Sequence, residues 1–545
     1  MATTENDAGN AADHWTDDDF TPSPRVALHE NQKLCKKNLE SVVWCVPLEI
    51  WQSNVCMGSG LFVGAEVPAG REIYHVNPTM HVLDAGNASI CSHCLTDTQE
   101  VMGGASKANL ETKACASCRV ARFCSKKCQK TAWHRYHKDE CKILQRAPGM
   151  MAQNLMTHRL IFWQQRGFIE TSLAESLMCL EDHFDEYSKD PDRATELMDM
   201  AMAVREATGS RVSLKVPWRL GPALRTNCVP LRSPSKRDPV GYAFDVVTAM
   251  INHSCDPNAH VFFEGDQLRV RSLKKIAAGE EITVSYTPPM LNVASRKVLL
   301  DHQYFFDCYC NRCRTELKEQ CDLLGDTKQL RALQQARGEI LALMNSAVRA
   351  SKYRGVNPDY ENLANVETKL RTILAGPFSP NKSWPESMEP LPCARLSLGM
   401  LYLAQGLPVP ALRNVLKGAL FNSRKDGPEF VNEMMDVVTV LMVAGSLPPE
   451  APAFEDKSFP SVEDIRTVTY GYLLETAHKA AAAFGYDAEY AKGVIDMMSV
   501  MAAKKPGPEP GSKEFMGEYG PAQRKMLAWV GVPEENGIVI TNAQK

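Results

Sequence analysis

The feature that most constrains the fold of this chain is a series of paired metal-binding residue types between residues 91 and 141. Two Cys-x2-Cys pairs, one Cys-x3-Cys pair and one His-x3-Cys pair follow one another, in the order Cys91 and Cys94, Cys115 and Cys118, Cys124 and Cys128, His137 and Cys141. Eight such donors match two tetrahedral zinc sites. The segment is too polar for a conventional core, so metal binding has to supply its folding free energy. The competing interpretation is a set of scattered free cysteines.

The histidine of this series can be chosen by its position. His93 and His134 compete with His137, but only His137 precedes Cys141 by one helical turn, so that both can face one ion. The order of the ligands also differs from that of a RING finger, whose histidine falls in the middle of the series. Spacing alone leaves open which pairs share an ion.

A further group of cysteines lies downstream in FFDCYCNRC, where Cys308, Cys310 and Cys313 have Cys-x-Cys-x2-Cys spacing. Three thiolates leave a tetrahedral zinc one ligand short. Cys255, in INHSCDPNAH, is the plausible fourth ligand. The alternative, that Cys255 is a nucleophile beside His253, lacks accompanying triad or oxyanion elements.

Length and composition limit the class of protein. The chain has 545 residues, a formal net charge of -4 and 18 cysteines, which predicts several domains at roughly 150 residues each and gives no general basic field for nucleic acid. No apolar run approaches the ~20 residues of a membrane span, and MATTENDAGN does not resemble a secretory signal. We therefore expect a protein of the nucleus, the cytoplasm or both, whose reduced thiols bind metal rather than form disulfides.

Secondary-structure signals change along the chain. An acidic opening predicts a disordered tail over residues 1–40. Short apolar runs separated by glycine and proline predict strands in SVVWCVPLEI, GLFVGAEV, EIYHV, HVFFEG, QLRVRSL and EEITVSY. Apolar residues recur at helical spacing at Leu173, Leu177, Leu180 and Phe184. After residue 317 long helical stretches such as QLRALQQARGEILALM dominate, and they form either a helical cap or tetratricopeptide-like pairs.

Several of these motifs stand in one characteristic order: GSGLF at 58–62, the cysteine-rich insert ending in AWHRYHKDEC, NHSCDPN, GEEITVSY and DHQYFFDCYCNRC. Over residues 41–316 the chain thereby resembles the SET-MYND family of protein-lysine methyltransferases. The resemblance implies an α+β fold of small curled sheets with a knot-like crossing near NHSC, interrupted by a zinc-rich MYND insert and a helical insert. The implied divisions are a SET amino-terminal part at 41–90, a MYND finger at 91–141, a helical insert at 142–225, a SET core carboxy-terminal part at 226–290, a post-SET segment at 291–316 and a helical carboxy-terminal domain at 317–545.

The same resemblance implies a ligand set for three zinc ions. One ion would take Cys91, Cys94, Cys124 and Cys128. The next would take Cys115, Cys118, His137 and Cys141, and the last would take Cys255, Cys308, Cys310 and Cys313.

S-adenosylmethionine is the cofactor that the resemblance implies, and the substrate is a lysine of a histone or another protein. Positions that match the cofactor site are Ser59, Gly60, Asn227, Asn252, His253, Tyr286 and Phe306. Tyr286 and Tyr304 match the tyrosines of the methyl-transfer pore. Met57 departs from the basic residue that many relatives carry before the glycine turn.

Other interpretations of these residues remain. Tyr286 could be ordinary core, Phe306 could pack beneath the cysteine cluster, and His253 could be a buried histidine, whereas Tyr242 and Phe244 are interpreted as core. An inactive scaffold that binds partner peptides through the MYND finger or the carboxy-terminal helices is the alternative function. We expect a monomer without membrane association. A basic face on the finger, at Lys126, Lys127, Lys130 and Arg135, is typical of a solvated surface rather than of DNA binding.

Overall fold

The computed structural model resolves the chain into two compact units, which are treated separately below. The described residues are 39, 42–55, 58–98, 111–168, 176–177, 180–207, 212–232, 239–324, 327–353, 363–377, 384–422, 424–504, 508–509 and 511–541. The first unit comprises Met1–Val101, Ala105–Tyr286 and Leu299–Asp307, and the second comprises Met102–Gly104, Thr287–Val298 and Cys308–Lys545. Met57 and nearly all of the predicted acidic tail lie outside the described residues.

Short strands form the framework of the first unit. They are β1 Val43–Trp44, β2 Leu48–Gln52, β3 Ser59–Val63, β4 Glu72–Val76, β5 Met80–Leu83, β6 Lys113–Ala114, β7 Arg122–Phe123, β8 Val229–Pro230, β9 Gly241–Phe244, β10 Asn252–His253, β11 Ala259–Glu264, β12 Gln267–Ser272 and β13 Thr283–Val284. The largest sheet has the order β1-β4-β12-β11, and smaller ones are β5-β9-β8, β2-β3, β10-β13 and β6-β7. The predicted α+β class with small sheets is confirmed.

Apolar residues of β4 and β12 form the buried centre of the four-stranded sheet. Ile73 and Tyr74 of β4 and Leu268 and Val270 of β12 are fully buried. The register between these two strands shifts after Val270, and such a shift bends and twists a sheet. Apolar burial at these positions therefore holds the sheet together while the shift curls it.

A parallel pairing joins the NHSCDPN and GEEITVSY motifs. Strand β10 pairs in parallel with β13, and the amide of Ser254 donates to the carbonyl of Val284 at 3.0 Å. The predicted strand in EEITVSY is only two residues long. The Asn258 side chain explains this, because its Oδ1 accepts from the Thr283 amide at 2.8 Å and its Nδ2 donates to the Glu281 carbonyl at 2.9 Å. These bonds replace those of a neighbouring strand.

Helices interrupt the strands of the first unit. They are α1 Lys126–Ala132, α2 Lys138–Arg146, α3 Ala152–Gln165, α4 Phe184–Lys189, α5 Pro191–Ala207, α6 Lys215–Asn227 and α7 Val246–Ala249, with a π-helical turn Trp133–His137 between α1 and α2. Of the residues predicted at helical spacing, Leu173 lies outside the described residues, Leu177 and Phe184 are helical, and Leu180 is not, because residues 180–183 are not helical. His183 has a left-handed φ of 51°, and Asp182 Oδ1 accepts from the Phe184 amide at 2.9 Å, so a new helix starts there.

From Val293 onward the described residues are mostly helical, and the predicted helical carboxy-terminal region is confirmed. The helices are α8 Val293–Tyr304, α9 Asn311–Leu324, α10 Thr327–Tyr353, α11 Leu363–Ala375, α12 Leu391–Ala404, α13 Pro408–Leu420, α14 Gly427–Ala444, α15 Val462–Phe484, α16 Glu489–Lys504 and α17 Lys513–Val530. Helices α12 and α13 approach closely through glycine, because a Cβ on Gly418 would lie 2.7 Å from Leu396 Cγ and one on Gly399 would lie 3.0 Å from the Ala411 carbonyl. The tetratricopeptide-like repeat stays a prediction. Within the described residues, no helix is long and apolar enough to cross a membrane.

Candidate functional site

Two groups of four donors lie in the cysteine-rich segment. Their ligand atoms lie within 4.8 Å of one another in each group, namely Cys91, Cys94, Cys124 and Cys128 (the first tetrad) and Cys115, Cys118, His137 and Cys141 (the second tetrad). In the first tetrad the Sγ atoms of Cys94 and Cys124 are 3.6 Å apart, and in the second those of Cys115 and Cys141 are 3.8 Å apart. Zinc–sulfur bonds of about 2.3 Å in a tetrahedron separate the sulfurs by about 3.8 Å. Each tetrad therefore fits one zinc ion.

Local structure places the ligands of both tetrads. Ser125 caps α1 by accepting from the Cys128 amide at 3.1 Å, which fixes the first turn that carries Cys128. The π-helical turn ends at His137, whose Nε2 lies 3.7 Å from Cys118 Sγ. Burial, and secondarily the charge of Arg159, lowers the pKa of His137 to about 4, so its ring is neutral and able to bind metal. His93, by contrast, has its Nδ1 3.5 Å from the hydroxyl of Tyr136.

The downstream cysteines form a cluster in the second unit. The Sγ atoms of Cys308, Cys310 and Cys313 lie within 4.8 Å of one another. Arg296, which is fully buried, directs its guanidinium at Cys313 Sγ at 3.7 Å and at Glu316 Oε2 at 3.0 Å. A buried cation beside a thiolate favours the deprotonated ligand that zinc requires. Cys255 belongs to the first unit, and its role as the fourth ligand stays a prediction.

The predicted cofactor-binding turn lies in β3, where other side chains pack closely against Gly60. A Cβ on Gly60 would lie 3.1 Å from Asn252 Nδ2 and would clash with the carboxylate of Glu281. Asn252 Nδ2 donates to the Ser59 carbonyl at 3.0 Å and to Glu281 Oε1 at 2.8 Å. Both amide protons of Asn252 are thus used inside the protein, which leaves its Oδ1 to accept from a ligand. The structure brings Ser59, Gly60 and Asn252 together.

Glu281 is a residue of this site that our sequence reasoning did not identify. It is 4% exposed. Besides Asn252, it accepts from the Ser53 hydroxyl at 2.7 Å and from the Asn54 amide at 2.7 Å. A buried carboxylate requires such partners. The available signal was the second glutamate of GEEITVSY, a charged residue that directly precedes the apolar end of a predicted strand.

Four rings predicted to belong to the site form a continuous row. The centroid of Phe306 lies 5.8 Å from that of His253, His253 lies 5.2 Å from Tyr286, and Tyr286 lies 4.7 Å from Tyr304. These separations are those of packed aromatic rings. We call Phe306, His253, Tyr286 and Tyr304 the ring row.

Hydrogen bonds fix the orientation of the ring row at its centre. The amide of Tyr286 donates to His253 Nδ1 at 2.9 Å, so the proton of the neutral imidazole is on Nε2, which lies 3.2 Å from Cys255 Sγ. Both ring nitrogens are therefore used, and His253 can offer a cofactor only its main chain or its ring face. The hydroxyl of Tyr286 donates to the Ile251 carbonyl at 2.7 Å.

Tyr304 closes the ring row in a buried environment. It is 5% exposed. Burial raises the pKa of Tyr304 well above its usual value, and the neighbouring hydroxyl of Tyr242 raises it further. The phenol therefore stays protonated at neutral pH and is not a general base there. Phe244 is fully buried, as predicted, whereas Tyr242 is partly exposed.

Asn227 is placed differently from the other predicted cofactor residues. It ends α6, and its Nδ2 donates to the carbonyls of Glu181 at 2.7 Å and Ala223 at 2.8 Å. Among the hydrogen bonds and ring contacts of the described residues, none joins Asn227 to Asn252 or to the ring row.

The sequence that builds this site is similar to those of known proteins. The SET domain family matches residues 58–287. Over 288 residues the chain is 27% identical to the Homo sapiens protein named "Histone-lysine N-methyltransferase SMYD3", which covers 51% of this chain and 64% of that protein. It is 27% identical over 263 residues to the Schizosaccharomyces pombe "SET domain and MYND-type zinc finger protein 6", covering 48% of this chain and 50% of that one.

A plant relative extends the comparison. The Arabidopsis thaliana "Histone-lysine N-methyltransferase ASHR1" is 28% identical over 276 residues, covering 47% of this chain and 53% of that protein. The chain thus matches less than two thirds of the length of each of these relatives. Residues 58–287 thus match the SET domain family and are interrupted by two zinc-fitting tetrads, and the relatives that the chain is similar to include a protein named for a SET domain and a MYND-type zinc finger.

Proposed function

We propose that this protein transfers a methyl group from S-adenosylmethionine to the side chain of a protein lysine. The single observation that carries the proposal is the ring row. Its rings lie side by side, with 4.7–5.8 Å between the centroids of neighbouring rings, in the order Phe306, His253, Tyr286 and Tyr304. Relatives named histone-lysine N-methyltransferases support it.

The cofactor would bind at the turn of β3. Gly60 lets β3 pass close to Asn252 and Glu281, where a Cβ would clash, and Asn252 presents an amide oxygen beside this turn. An ammonium donates to such an oxygen, so the amino acid end of S-adenosylmethionine fits there. Residues that would hold the cofactor are Ser59, Gly60, Asn227, Asn252, His253, Tyr286 and Phe306. When bound, S-adenosylmethionine supplies a methyl group on a positively charged sulfur.

The tyrosines would prepare the lysine. Methyl transfer is an in-line displacement, so alignment of the two reactants lowers much of the barrier. The lysine must be neutral to attack although its free pKa is ~10.4. An apolar channel disfavours the ammonium, and the rings of Tyr286 and Tyr304 exclude water while their oxygens can orient the nitrogen. Since Tyr304 remains protonated, the lysine proton leaves to solvent before the transfer.

Zinc would have a structural role. The first and second tetrads would each hold one ion that folds the finger. We propose a third zinc on Cys308, Cys310 and Cys313, with Cys255 as its fourth ligand. The segments 41–90, 226–290 and 291–316 would then act as the SET and post-SET parts of one enzyme.

The finer features of the proposed function rest on the resemblance to the SET-MYND family. We propose that the substrate lysine lies on a histone or another protein, that the protein acts as a monomer in the nucleus, the cytoplasm or both, and that it acts without nucleic acid. The finger or the carboxy-terminal helices would bind partner peptides.

Calorimetric titration of the zinc-loaded protein with S-adenosylmethionine tests the proposal. We expect saturable binding that Asn252→Ala and Phe306→Ala abolish. Tyr486→Ala is the matched control, because Tyr486 is an aromatic side chain that is 73% exposed in the second unit. If the folded, zinc-loaded protein does not bind the cofactor, the proposal fails and an inactive scaffold becomes the better interpretation.

A further inference from the structure

A further group of metal-binding residue types lies in the first unit, apart from the two tetrads and the downstream cysteines. Its members are Cys45, Glu72 and His75, whose ligand atoms lie within 4.8 Å of one another. They meet at one edge of the four-stranded sheet, where Cys45 directly follows β1 and the other two residues belong to β4. The proposed methyl transfer uses none of the three.

An irregularity in β4 brings Glu72 and His75 to the same face of the sheet. Residues three apart in a regular strand point to opposite faces. In β4, however, Ile73 is an extra residue between the pairs that Tyr74 and Glu72 make with β12. Ile73 and Tyr74 are both fully buried, so the alternation is broken there and Glu72 turns to the side of His75. A bulge of this kind re-aims a side chain.

Strand β1 adds a thiol on the same face. Val43 pairs with His75, and Cys45 follows two residues later, hence on the same side of the sheet. The Cys45 amide donates to the Ile73 carbonyl at 2.9 Å. Cys45 Sγ lies 3.7 Å from Glu72 Oε1, and His75 Nδ1 lies 2.8 Å from the same oxygen. One carboxylate oxygen therefore lies between a thiol and an imidazole nitrogen.

The second oxygen of Glu72 contacts arginine. Glu72 Oε2 accepts from Arg269 Nη1 at 3.3 Å and lies 3.8 Å from Arg271 Nη1. Arg269 Nη2 in turn lies 3.0 Å from the carboxylate of Glu264, which neutralises part of its charge. Carboxylates that bind metal are commonly held by such outer contacts. The arginines thus orient the carboxylate, and their charge weakens the binding of a cation relative to the tetrads.

The types of donor select the metal. Thiolate and imidazole suit zinc, whereas magnesium and calcium prefer oxygen ligands throughout. Three protein ligands leave the fourth position of a tetrahedral zinc to water. Cys45 is exposed, and the side chains of His75 and Glu72 are 25% and 16% exposed. An ion can therefore reach the group from solvent and keep a water ligand.

We propose that Cys45, Glu72 and His75 bind one exchangeable zinc ion, with water as the fourth ligand. The ion takes the place of the proton between His75 Nδ1 and Glu72 Oε1, so that neutral His75 carries its proton on Nε2. The thiol of Cys45 loses its proton to solvent. Because β1 pairs with β4 through only two residues, the ion fastens a short edge strand to the sheet.

Cobalt spectroscopy of the full-length, zinc-loaded protein tests the site after loosely bound metal has been removed by gel filtration. Co²⁺ accepts the same ligands as zinc, and a bond between Co²⁺ and a thiolate adds charge-transfer absorption in the near ultraviolet. We expect one equivalent of Co²⁺ to produce this absorption and Zn²⁺, but not Mg²⁺, to remove it. Cys45→Ser should abolish the absorption, and His75→Ala should weaken Co²⁺ binding at least tenfold.

Hydrogen exchange gives a second measurement. Added zinc should slow exchange of the Cys45 amide at least fivefold, because the ion restrains β1 against β4. Neither Cys45→Ser nor His75→Ala should show this slowing at position 45. Cys393→Ser is the matched control, since it changes a cysteine outside the candidate metal groups, and it should keep both the absorption and the slowing. Should His75→Ala fail to fold, Cys45→Ser and its control still decide the question.

Three outcomes would overturn the proposal. The first is the absence of cobalt–thiolate absorption in the unaltered protein. The second is absorption that persists in Cys45→Ser, which would place the cobalt on the tetrads or the downstream cysteines. The third is unchanged affinity in a folded His75→Ala, which would indicate adventitious binding to a single thiol. S-adenosylmethionine is not needed for any of these results, so the inference and the proposed function can fail separately.

Discussion

The zinc finger and the ring row are built in opposite ways within one unit. In the finger, the two tetrads draw all their ligands from residues 91–141, as four pairs whose members are separated by two or three intervening residues. In the ring row, His253, Tyr286, Tyr304 and Phe306 come from separate elements and meet only after β10 pairs with β13. The finger therefore depends on a metal, whereas the ring row depends on long-range packing and buried hydrogen bonds.

Removing a finger ligand should have the largest effect. We expect the second tetrad to lose its zinc ion in Cys118→Ser. The finger should unfold as a result, because binding of a structural zinc contributes about 10–16 kcal/mol to the folding free energy at neutral pH. Elemental analysis should show one zinc fewer, and limited proteolysis should cut within residues 111–146. Cys393→Ser, at a partly exposed cysteine outside the candidate metal groups, should keep full zinc content. Unchanged zinc in Cys118→Ser would contradict the second tetrad.

Glu281 should matter most at the cofactor turn. Glu281→Ala leaves Asn252 Nδ2, the Ser53 hydroxyl and the Asn54 amide without their acceptor, and hydrogen bonds to a charged group are worth about 1.5–3 kcal/mol each. We expect a lower melting temperature and at least tenfold weaker binding of S-adenosylmethionine, with zinc content unchanged. Glu66→Gln, at an exposed ion pair with Lys275, is the control and should change neither value. Normal cofactor affinity in Glu281→Ala would remove Glu281 from the site.

Gly60 allows a smaller and more local change. In Gly60→Ala the added Cβ meets Glu281 and Asn252, and forcing a methyl into packed space typically costs about 1–3 kcal/mol. Denaturant unfolding should register this loss, and calorimetry should show weaker cofactor binding. Gly149→Ala is the control, since its Cβ would meet nothing within 4 Å. Equal stability of the two variants would show that the turn is not tightly packed.

Tyr304→Phe should have the smallest effect, confined to the reaction. It keeps the ring and removes the hydroxyl, so we expect normal folding and roughly tenfold slower methyl transfer, the value of one hydrogen bond of about 1.4 kcal/mol. Burial raises the pKa of Tyr304, so this phenol remains protonated through the neutral range in the folded protein. The rate should therefore rise with pH in the same way in both proteins, as the substrate lysine loses its proton. A rise that disappears in Tyr304→Phe would make Tyr304 the base.

The success of sequence reasoning followed the range of the interactions. Ligand spacing indicated the eight donors of the two tetrads, and short apolar runs bounded by glycine indicated β3, β4, β11 and β12, since both patterns are local. Which pairs share an ion was implied only by the family resemblance. Glu281 was missed because its partners Ser53 and Asn54 lie more than 200 residues away in the sequence. The helix expected through Leu180 failed because Asp182 starts a new helix at Phe184, a competition between local hydrogen bonds that spacing does not reveal.

The sequence by itself determined the chemistry available to this protein: thiolates in pairs, a glycine turn, an Asn-His motif and tyrosines after it. Those features are properties of single residues and short spacings, which need no knowledge of packing. Only the tertiary structure decided that Asn252 turns its amide protons toward Ser59 and Glu281, that both nitrogens of His253 are occupied, and that Glu72 turns one carboxylate oxygen toward a histidine and a thiol. Each of these depends on which groups compete for the same hydrogen bond, and that is settled only when distant segments are brought together.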